Sequence, residues 1–364
     1  MPDAQRDTGA GGFVPHANAG RKRKILITGV SRFLGLRVAQ RLARSNEVEL
    51  LVGVDLEEPP SDIEGLEFVR ADIRSPLIAR VVEATKVDVI VHTNISSSRA
   101  AFAGRSQMKE NNVIGTLQLL AVAQRAERVR KVVMRSSTAV YGFSPSEPSL
   151  LTEDHAARVV HLAGFARDCA EAETIARDFG RRRPGVDLTI LRMQPVIGPT
   201  VSTGLTDYLS LTAVPTVLGF DPRLQLLHEA DAVDVLCRAV HFDAGGIFNV
   251  AAEGVLYLSQ AIRMLGRAQI PLPPPAPAIA AMVLRRLGVL DFSVDQLELL
   301  VRGRVVSTRR AKEVLGFAPR LTTKEALIDF RDNRAEGPAP RPNGSSSWER
   351  ELFEYLRARS TASV

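Results

Sequence analysis

Lys24-Ile25-Leu26-Ile27-Thr28-Gly29-Val30-Ser31-Arg32-Phe33-Leu34-Gly35 is the stretch that decides how this chain folds. Lys24 to Thr28 is a short apolar run, the signature of a strand buried on both faces. Leu36 to Ala43 then shows helical spacing, so the segment between them is a strand-to-helix turn. A turn of this kind that receives a phosphate ester must bend tightly, let its backbone approach the ligand and let the helix pack close to the strand. Gly29 and Gly35 meet the first and third demands. Arg32 occupies the place of the second. Its side chain crowds the approach, yet its guanidinium is suited to a phosphate oxygen.

Outward from that turn, apolar runs and helical patterns alternate. Val48 to Leu56 is a second run and carries Asp55 at its end. Leu66 to Ala71, Val87 to His92, Lys131 to Arg135, Leu188 to Met193 and Gly246 to Val250 read as further strands. Leu36–Ala43, Asn112–Ala126, Glu171–Phe179 and Asp231–Val240 read as helices. Continuous apolar strands separated by helices predict a parallel sheet covered on both faces, joined by right-handed crossovers. The predicted fold class is therefore α/β, a Rossmann-type doubly wound sheet with a small C-terminal lid. Its main domain spans 24–199 plus 231–254, and the lid 200–230 plus 255–334. Pro271 to Pro277 interrupts the helical patterns of the lid. Residues 1–23 read as a disordered leader. Residues 335–364 read as a Pro/Gly/Ser linker and a last helix, capped by Ser347 and striped with Trp348, Leu352, Phe353 and Leu356.

Composition excludes several classes. In 364 residues, 45% hydrophobic and 24% charged is the balance of a globular chain. No apolar stretch approaches the roughly 20 residues of a membrane span. Two cysteines, Cys169 and Cys237, stand at no disulfide or metal spacing, and no metal site is expected. With no secretory start, the reading is a cytoplasmic protein. The net charge of +6 comes from small basic groups such as Arg181 to Arg183 with few interleaved aromatics. These read as solvated helix ends and argue against nucleic acid as a partner.

The loop resembles the T-G-x-x-G-x-x-G turn of the extended short-chain dehydrogenases, the NAD-dependent epimerase/dehydratase family. Other segments match in the same order: Asn112-Val113-Ile114-Gly115-Thr116; Ser136-Ser137-Thr138-Ala139-Val140-Tyr141-Gly142; Leu191-Arg192 with Gly198-Pro199; His228 and Asp231; and Ala311 to Pro319. The resemblance covers about residues 24 to 332 and is nearest an actinobacterial branch with a T-G-x-x-R-F-L-G loop. It implies that Thr28, Gly29, Arg32, Phe33, Leu34 and Gly35 line the cofactor phosphates. It also implies that Asp55 takes the ribose hydroxyls, and that Asp72 and Ile73 lie by the adenine. A carboxylate at Asp55 favours NAD, while Arg32 leaves NADP open.

The resemblance also implies a catalytic tyrosine, with a lysine four residues later and a serine nearby. A phenol of pKa near 10 needs such a cation to work near neutrality. Ser137 holds the serine position. The Y-A-R-D-K-A-E-A-E frame reads Phe165-Ala166-Arg167-Asp168-Cys169-Ala170-Glu171-Ala172-Glu173 here, so Phe165 and Cys169 replace the dyad. None of Tyr141, Tyr208, Tyr257 and Tyr355 has a lysine four residues on. Tyr141, His161 and Cys169 are the candidate substitutes, the last if Arg167 lowers its thiol pKa. The N-V-Y-G-P contact of sugar-nucleotide enzymes reads Pro195-Val196-Ile197-Gly198-Pro199, and Arg223 is one residue out of step for a diphosphate contact. The leading expectation is a protein that binds or senses NAD(H) without the standard redox chemistry. An epimerase, dehydratase or reductase with a substitute acid/base, acting on a small molecule, is the alternative. A nucleic-acid-binding role is the third. The family also implies a homodimer through helices carrying Leu119, Leu120, Val122, Ile175 and Phe179, which core packing explains equally well.

Overall fold

The computed structural model describes residues 22–97, 104–143, 148–155, 162, 164–243, 245–273 and 299–334. The expected leader to residue 21, the C-terminal linker and helix, and His161 lie outside the described residues.

Seven parallel strands form the central sheet: β1 (Arg23–Thr28), β2 (Val48–Asp55), β3 (Leu66–Arg70), β4 (Val89–His92), β5 (Lys131–Ser137), β6 (Asp187–Met193) and, after the short strands described below, Gly246–Val250. The order across the sheet is Gly246–Val250, β6, β5, β4, β1, β2, β3. The chain thus starts at the centre, winds out to β3, returns to β4 and winds out the other way. The reversal between β1 and β4 opens a crevice at the carboxyl ends of the strands. Ile25, Leu26, Ile27, Ile90 and Val91 are completely buried, as a strand with helices on both faces requires.

Helices α1 (Phe33–Ala43) and α2 (Ile78–Thr85) follow β1 and β3. After β4 come α3 (Arg105–Lys109), a π-helical turn (Glu110–Gly115) and α4 (Thr116–Arg125). The helix predicted from Asn112 therefore begins earlier, and its first turns are loosened into the π turn. The next helix, α5 (Gly164–Arg182), also begins before the predicted Glu171. Its first turn has Phe165, Ala166 and Asp168 buried, a burial pattern that the charged residues around it conceal in the sequence. Helices α2, α4 and α5 pack one apolar cluster on one face of the sheet. Helix α1, the helix Glu229–His241 and the turn around Leu315 and Phe317 pack a second on the other.

A third cluster lies apart from these two and joins Leu205, Tyr208, Val214, Leu258, Ile262, Leu327 and Phe330. Residues 200–230 hold more strand than the loop and short helix predicted for them. β7 (Val196–Ile197) pairs with Leu227–His228, Arg223–Leu224 with Leu256–Tyr257, and Ala213–Val217 with Ala268–Leu272. These pairings span long sequence separations, which local periodicity does not carry. His228 and Asp231 fasten the end of this region. His228 Nε2 meets Asp329 at 2.9 Å, and Asp231 accepts the Arg320 N–H at 3.1 Å. No helix among the described residues is long and apolar enough to cross a membrane.

Candidate functional site

The loop after β1 is shaped by its two glycines. Gly29 has φ +84°, in the region that favours glycine. A Cβ at Gly35 would stand 2.1 Å from the Gly29 carbonyl oxygen, so α1 can lie this close to the strand only with glycine there. Arg32 precedes α1 at the N-cap position without a side-chain cap, and the helix has no acidic residue in its first turn. Its N-terminal N–H groups therefore face the crevice without a carboxylate competing for them. Arg32 sends its Nε to Asn94 Oδ1 at 3.0 Å, which carries the side chain toward the end of β4.

Thr28 serves the loop from below. It is fully buried, and its hydroxyl lies 2.8 Å from His92 Nδ1. His92 Nε2 in turn meets Thr116 of α4 at 2.9 Å. Burial pushes the His92 pKa down to about 4, so the ring is neutral at physiological pH. Phe33 and Leu34, the first residues of α1, pack partly into the core. Asp55, at the end of β2, is 6% exposed. Its Oδ2 accepts the Ser31 N–H at 3.1 Å and the Ser31 hydroxyl at 2.6 Å, and its Oδ1 accepts the Leu56 N–H at 2.8 Å. The carboxylate is thus tied into the loop that it was expected to adjoin.

Asp72 and Ile73 lie beyond the third strand, which stops at Arg70 rather than Ala71. Asp72 ends the extended run by turning its side chain back onto the Arg74 N–H at 2.8 Å and gripping the Arg74 guanidinium at 2.6 Å. Ile73 is 2% exposed and belongs to the core.

At the other end of the crevice lie Ser137, Phe165 and Cys169. Ser137 ends β5, where its Oγ accepts the Ala139 N–H at 3.2 Å and caps the 3₁₀ turn Thr138–Tyr141. Phe165 is 6% exposed and Cys169 fully buried, both in the cluster under α5. Tyr141 is not poised to replace the phenol. Its hydroxyl donates to Asn249 Oδ1 at 2.7 Å and accepts from Arg192 Nη1 at 2.9 Å, and burial raises its pKa. Arg167 does not act on Cys169 either. Its Nε reaches Glu171, one turn on, at 2.8 Å, on the exposed side of α5. The cation beside Cys169 is Arg135 of β5. Arg223 donates to the Ser149 carbonyl at 3.1 Å and is exposed.

The model of the NAD dependent epimerase/dehydratase family matches residues 25–251, from the first strand of the sheet to the last. The chain belongs to that family. The uncharacterized protein Rv0501 of Mycobacterium tuberculosis is 42% identical over 331 residues, 89% of this chain and 88% of its own. UDP-glucuronic acid decarboxylase 6 of Arabidopsis thaliana is 24% identical over 337 residues, 85% of this chain and 89% of its own. The fold is also that of UDP-glucose 4-epimerase from Thermotoga maritima, solved with UDP-glucose. The TM-score is 0.66 at 19% identity over 85% of this chain and 98% of that one. UDP-glucuronic acid 4-epimerase from Bacillus cereus, solved in complex with NAD, aligns with a TM-score of 0.64 at 16% identity, again over 85% and 98%.

Within this family member, sequence reading missed the residues that hold the crevice floor. The π turn before α4 brings Asn111 and Asn112 inward. Asn111 Nδ2 donates to the Asn94 carbonyl at 2.7 Å, and Asn112 bonds both the N–H and the carbonyl of Ser96. Asp168, fully buried, takes both Nη atoms of Arg105 at 2.6 Å and so locks α3 to α5. The motif Asn112 to Thr116 marked the place, but a π turn leaves no periodic signal in a single sequence. Below this floor, Glu173 pairs with both Arg192 and Ser136, a fully buried network joining α5 to β5 and β6.

Proposed function

We propose that this chain binds NAD(H) along the carboxyl ends of β1, β2, β4 and β5, as a binding or sensing protein without phenol–ammonium hydride chemistry. The residues present fit a dinucleotide. The uncapped start of α1 and the close glycine pair suit a pyrophosphate, held by the N–H groups of Phe33, Leu34 and Gly35, while the Arg32 N–H closes the turn onto the Gly29 carbonyl at 3.1 Å. Asp55 stands where ribose hydroxyls would take the place of the Ser31 hydroxyl, and its charge disfavours the extra phosphate of NADP. Arg32 turns its Nε toward Asn94 Oδ1 at 3.0 Å. Asp72 and Ile73 would flank the adenine. The bound nicotinamide would supply redox chemistry only if an acid and base met its substrate.

The observation that carries the second half of the proposal is the burial of Phe165 and Cys169 together with the saturated Tyr141 hydroxyl. None of the three presents a solvent-facing acid or base. Calorimetric titration of the nucleotide-stripped protein with NAD, NADH, NADP and NADPH tests the first half. Binding of NAD(H) is expected, weakened about ten- to hundred-fold by Asp55→Ala, the loss of charge-assisted hydrogen bonds. Failure to bind any of the four sinks the proposal.

A second reading is an epimerase or dehydratase that works on a sugar nucleotide with a substitute acid/base. Ser137, half-buried at the strand end, favours it. Conversion of UDP-glucose or UDP-glucuronic acid that disappears in Ser137→Ala would establish it over the first. The homodimer implied by the family would cover Ile114 and Leu117, which are 43% and 45% exposed. Leu119, Leu120, Val122 and Phe179 are buried in the chain's own core instead. Sedimentation of the wild type and Leu117→Glu tests that state.

A further inference from the structure

The strands Ala213–Val217 and Ala268–Leu272 run parallel, with Ala213, Pro215 and Val217 opposite Ala268, Ile270 and Leu272. Side chains alternate across a strand, so these six share one face of the two-stranded sheet. The other face holds Val214 and Thr216, which are buried, and Gln269, whose Nε2 donates to the Thr216 hydroxyl at 3.1 Å. The first face has no polar side chain, yet it is open. Ala213 and Ala268 are exposed, Pro215, Val217 and Leu272 are half-buried, and Ile270 is 43% exposed. Leu218, whose N–H donates to the Leu272 carbonyl at 2.9 Å, extends this face together with Phe220, and the two are 54% and 52% exposed. Among the described residues, none of the three apolar clusters takes in Val217, Ile270 or Leu272. An apolar patch of this kind marks a contact surface.

The point where the chain leaves the described fold narrows the choice of cover. Helix Thr323–Asn333 ends beside the start of this sheet. Arg331 Nη1 donates to the Met264 carbonyl at 3.0 Å, just before Ala268. Arg334 Nη1 donates to the Thr206 carbonyl at 3.1 Å, in the helix Gly204–Leu209 that leads into Ala213. Beyond it, Ala335 to Ser346 is the linker, with prolines at 338, 340 and 342. At about 3.1 Å per residue, a proline-rich chain of this length reaches on the order of 35 Å. The stripe Trp348, Leu352, Phe353 and Leu356 comes next. As a helix it would run about 12 Å from Trp348 to Leu356. A strand the length of Ala213–Val217 runs about 13 Å. We infer that this C-terminal stripe docks on the face formed by Val217, Leu218, Ile270 and Leu272 of its own chain. The tether holds the stripe at an effective concentration on the order of millimolar, above what a second copy supplies in dilute solution.

Trp348 is the only tryptophan of the chain, so its emission reads the contact directly. Emission spectra and acrylamide quenching of the full chain are compared for wild type, Ile270→Glu, Leu352→Glu and Leu117→Glu. Wild type is expected to emit to the blue of a solvated indole and to be shielded from quencher at every protein concentration. Ile270→Glu and Leu352→Glu are each expected to shift the emission to the red and remove the shielding, because a charge then meets an apolar partner. Leu117→Glu, on α4, is expected to leave both unchanged. Should Ile270→Glu melt far below wild type, Leu218→Glu, in the exposed turn of the same face, decides in its place. A wild-type emission already red and fully quenched overturns the inference. So does a blue, shielded emission that ignores the face variants, which would seat the tryptophan elsewhere. Shielding lost on dilution, with sedimentation falling from dimer to monomer, would give the face to a second copy and overturn docking within one chain. Shielding that arises only with phosphatidylglycerol vesicles would give the stripe to a membrane, with the same consequence.

Discussion

The two ends of the crevice have gone different ways. At the β1 and β2 end, the loop keeps the geometry that a phosphate needs: a glycine at positive φ, a second with no room for a Cβ, an uncapped helix start and a carboxylate at the rim. At the β5 and α5 end, Phe165 and Cys169 have been drawn into the core, and the nearby tyrosine is tied up in a buried network. The difference separates binding from chemistry. A nucleotide is held mostly by backbone N–H groups, which survive many side-chain changes. Acid/base work of the phenol–ammonium kind needs one phenol and one cation at one spacing, and on the proposed reading Phe165 and Cys169 stand in their places.

The sharpest way to break this comparison is to restore the cation. Cys169→Lys places an ammonium in a fully buried position beside Arg135, and is expected to cost on the order of 4 kcal/mol. Urea denaturation measures it. A variant of wild-type stability that also gained turnover would show the α5 end to be an active site in waiting. Gly35→Ala attacks the other end. Its Cβ would fall 2.1 Å from the Gly29 carbonyl, and a loss of about 3 kcal/mol, with loss of NADH binding, is expected from thermal melts and titration.

His92, on β4 between the two ends, bonds Thr28 of β1 and Thr116 of α4, and its titration is a probe of that joint. It is neutral when folded, with a pKa lowered by burial from 6.5 to about 4. The unfolded chain takes up the proton first, so stability is complete above pH 6.5 and falls as pH drops toward about 4. The gap between 6.5 and about 4, at about 1.4 kcal/mol per unit, is roughly 3 kcal/mol. Urea unfolding between about pH 7.5 and about pH 4.5 is expected to lose most of that term in wild type and not in His92→Asn. An unchanged slope in His92→Asn would place the acid sensitivity elsewhere. The smallest effect is expected from Phe165→Tyr, which adds a hydroxyl near Arg135. Stability should stay within about 1 kcal/mol, with no gain of NAD reduction on sugar-nucleotide substrates.

Much of this was readable from the residues. Lys24 to Thr28 and the glycines at 29 and 35 gave the strand–turn–helix, and the alternation after it gave the parallel sheet, including Gly246–Val250 as a late strand. Boundaries were less exact where side chains act on the backbone. Asp72 ended the third strand early by folding onto Arg74, and the π turn lengthened the helix before α4. The small strand pairs beyond β6 were missed because each joins segments far apart in the chain, with two to five residues on either side. Arg167 was weighed as the cation for Cys169 because it is close in sequence, yet it faces the opposite side of α5.

The sequence by itself determined the winding of this protein and the identity of Phe165 and Cys169 in the first turns of α5. Hydrophobic periodicity, glycine spacing and residue identity are local properties, and right-handed crossovers leave few ways to assemble the strands. Only the tertiary structure decided which polar groups serve the crevice and which serve the fold. Tyr141 and Arg192 satisfy each other and Asn249, Asn111 and Asn112 hold the floor, and Arg135 is left beside Cys169 with a donor unmade. A buried polar group must find its partner across elements distant in sequence, and that partner is fixed by packing rather than by spacing along the chain.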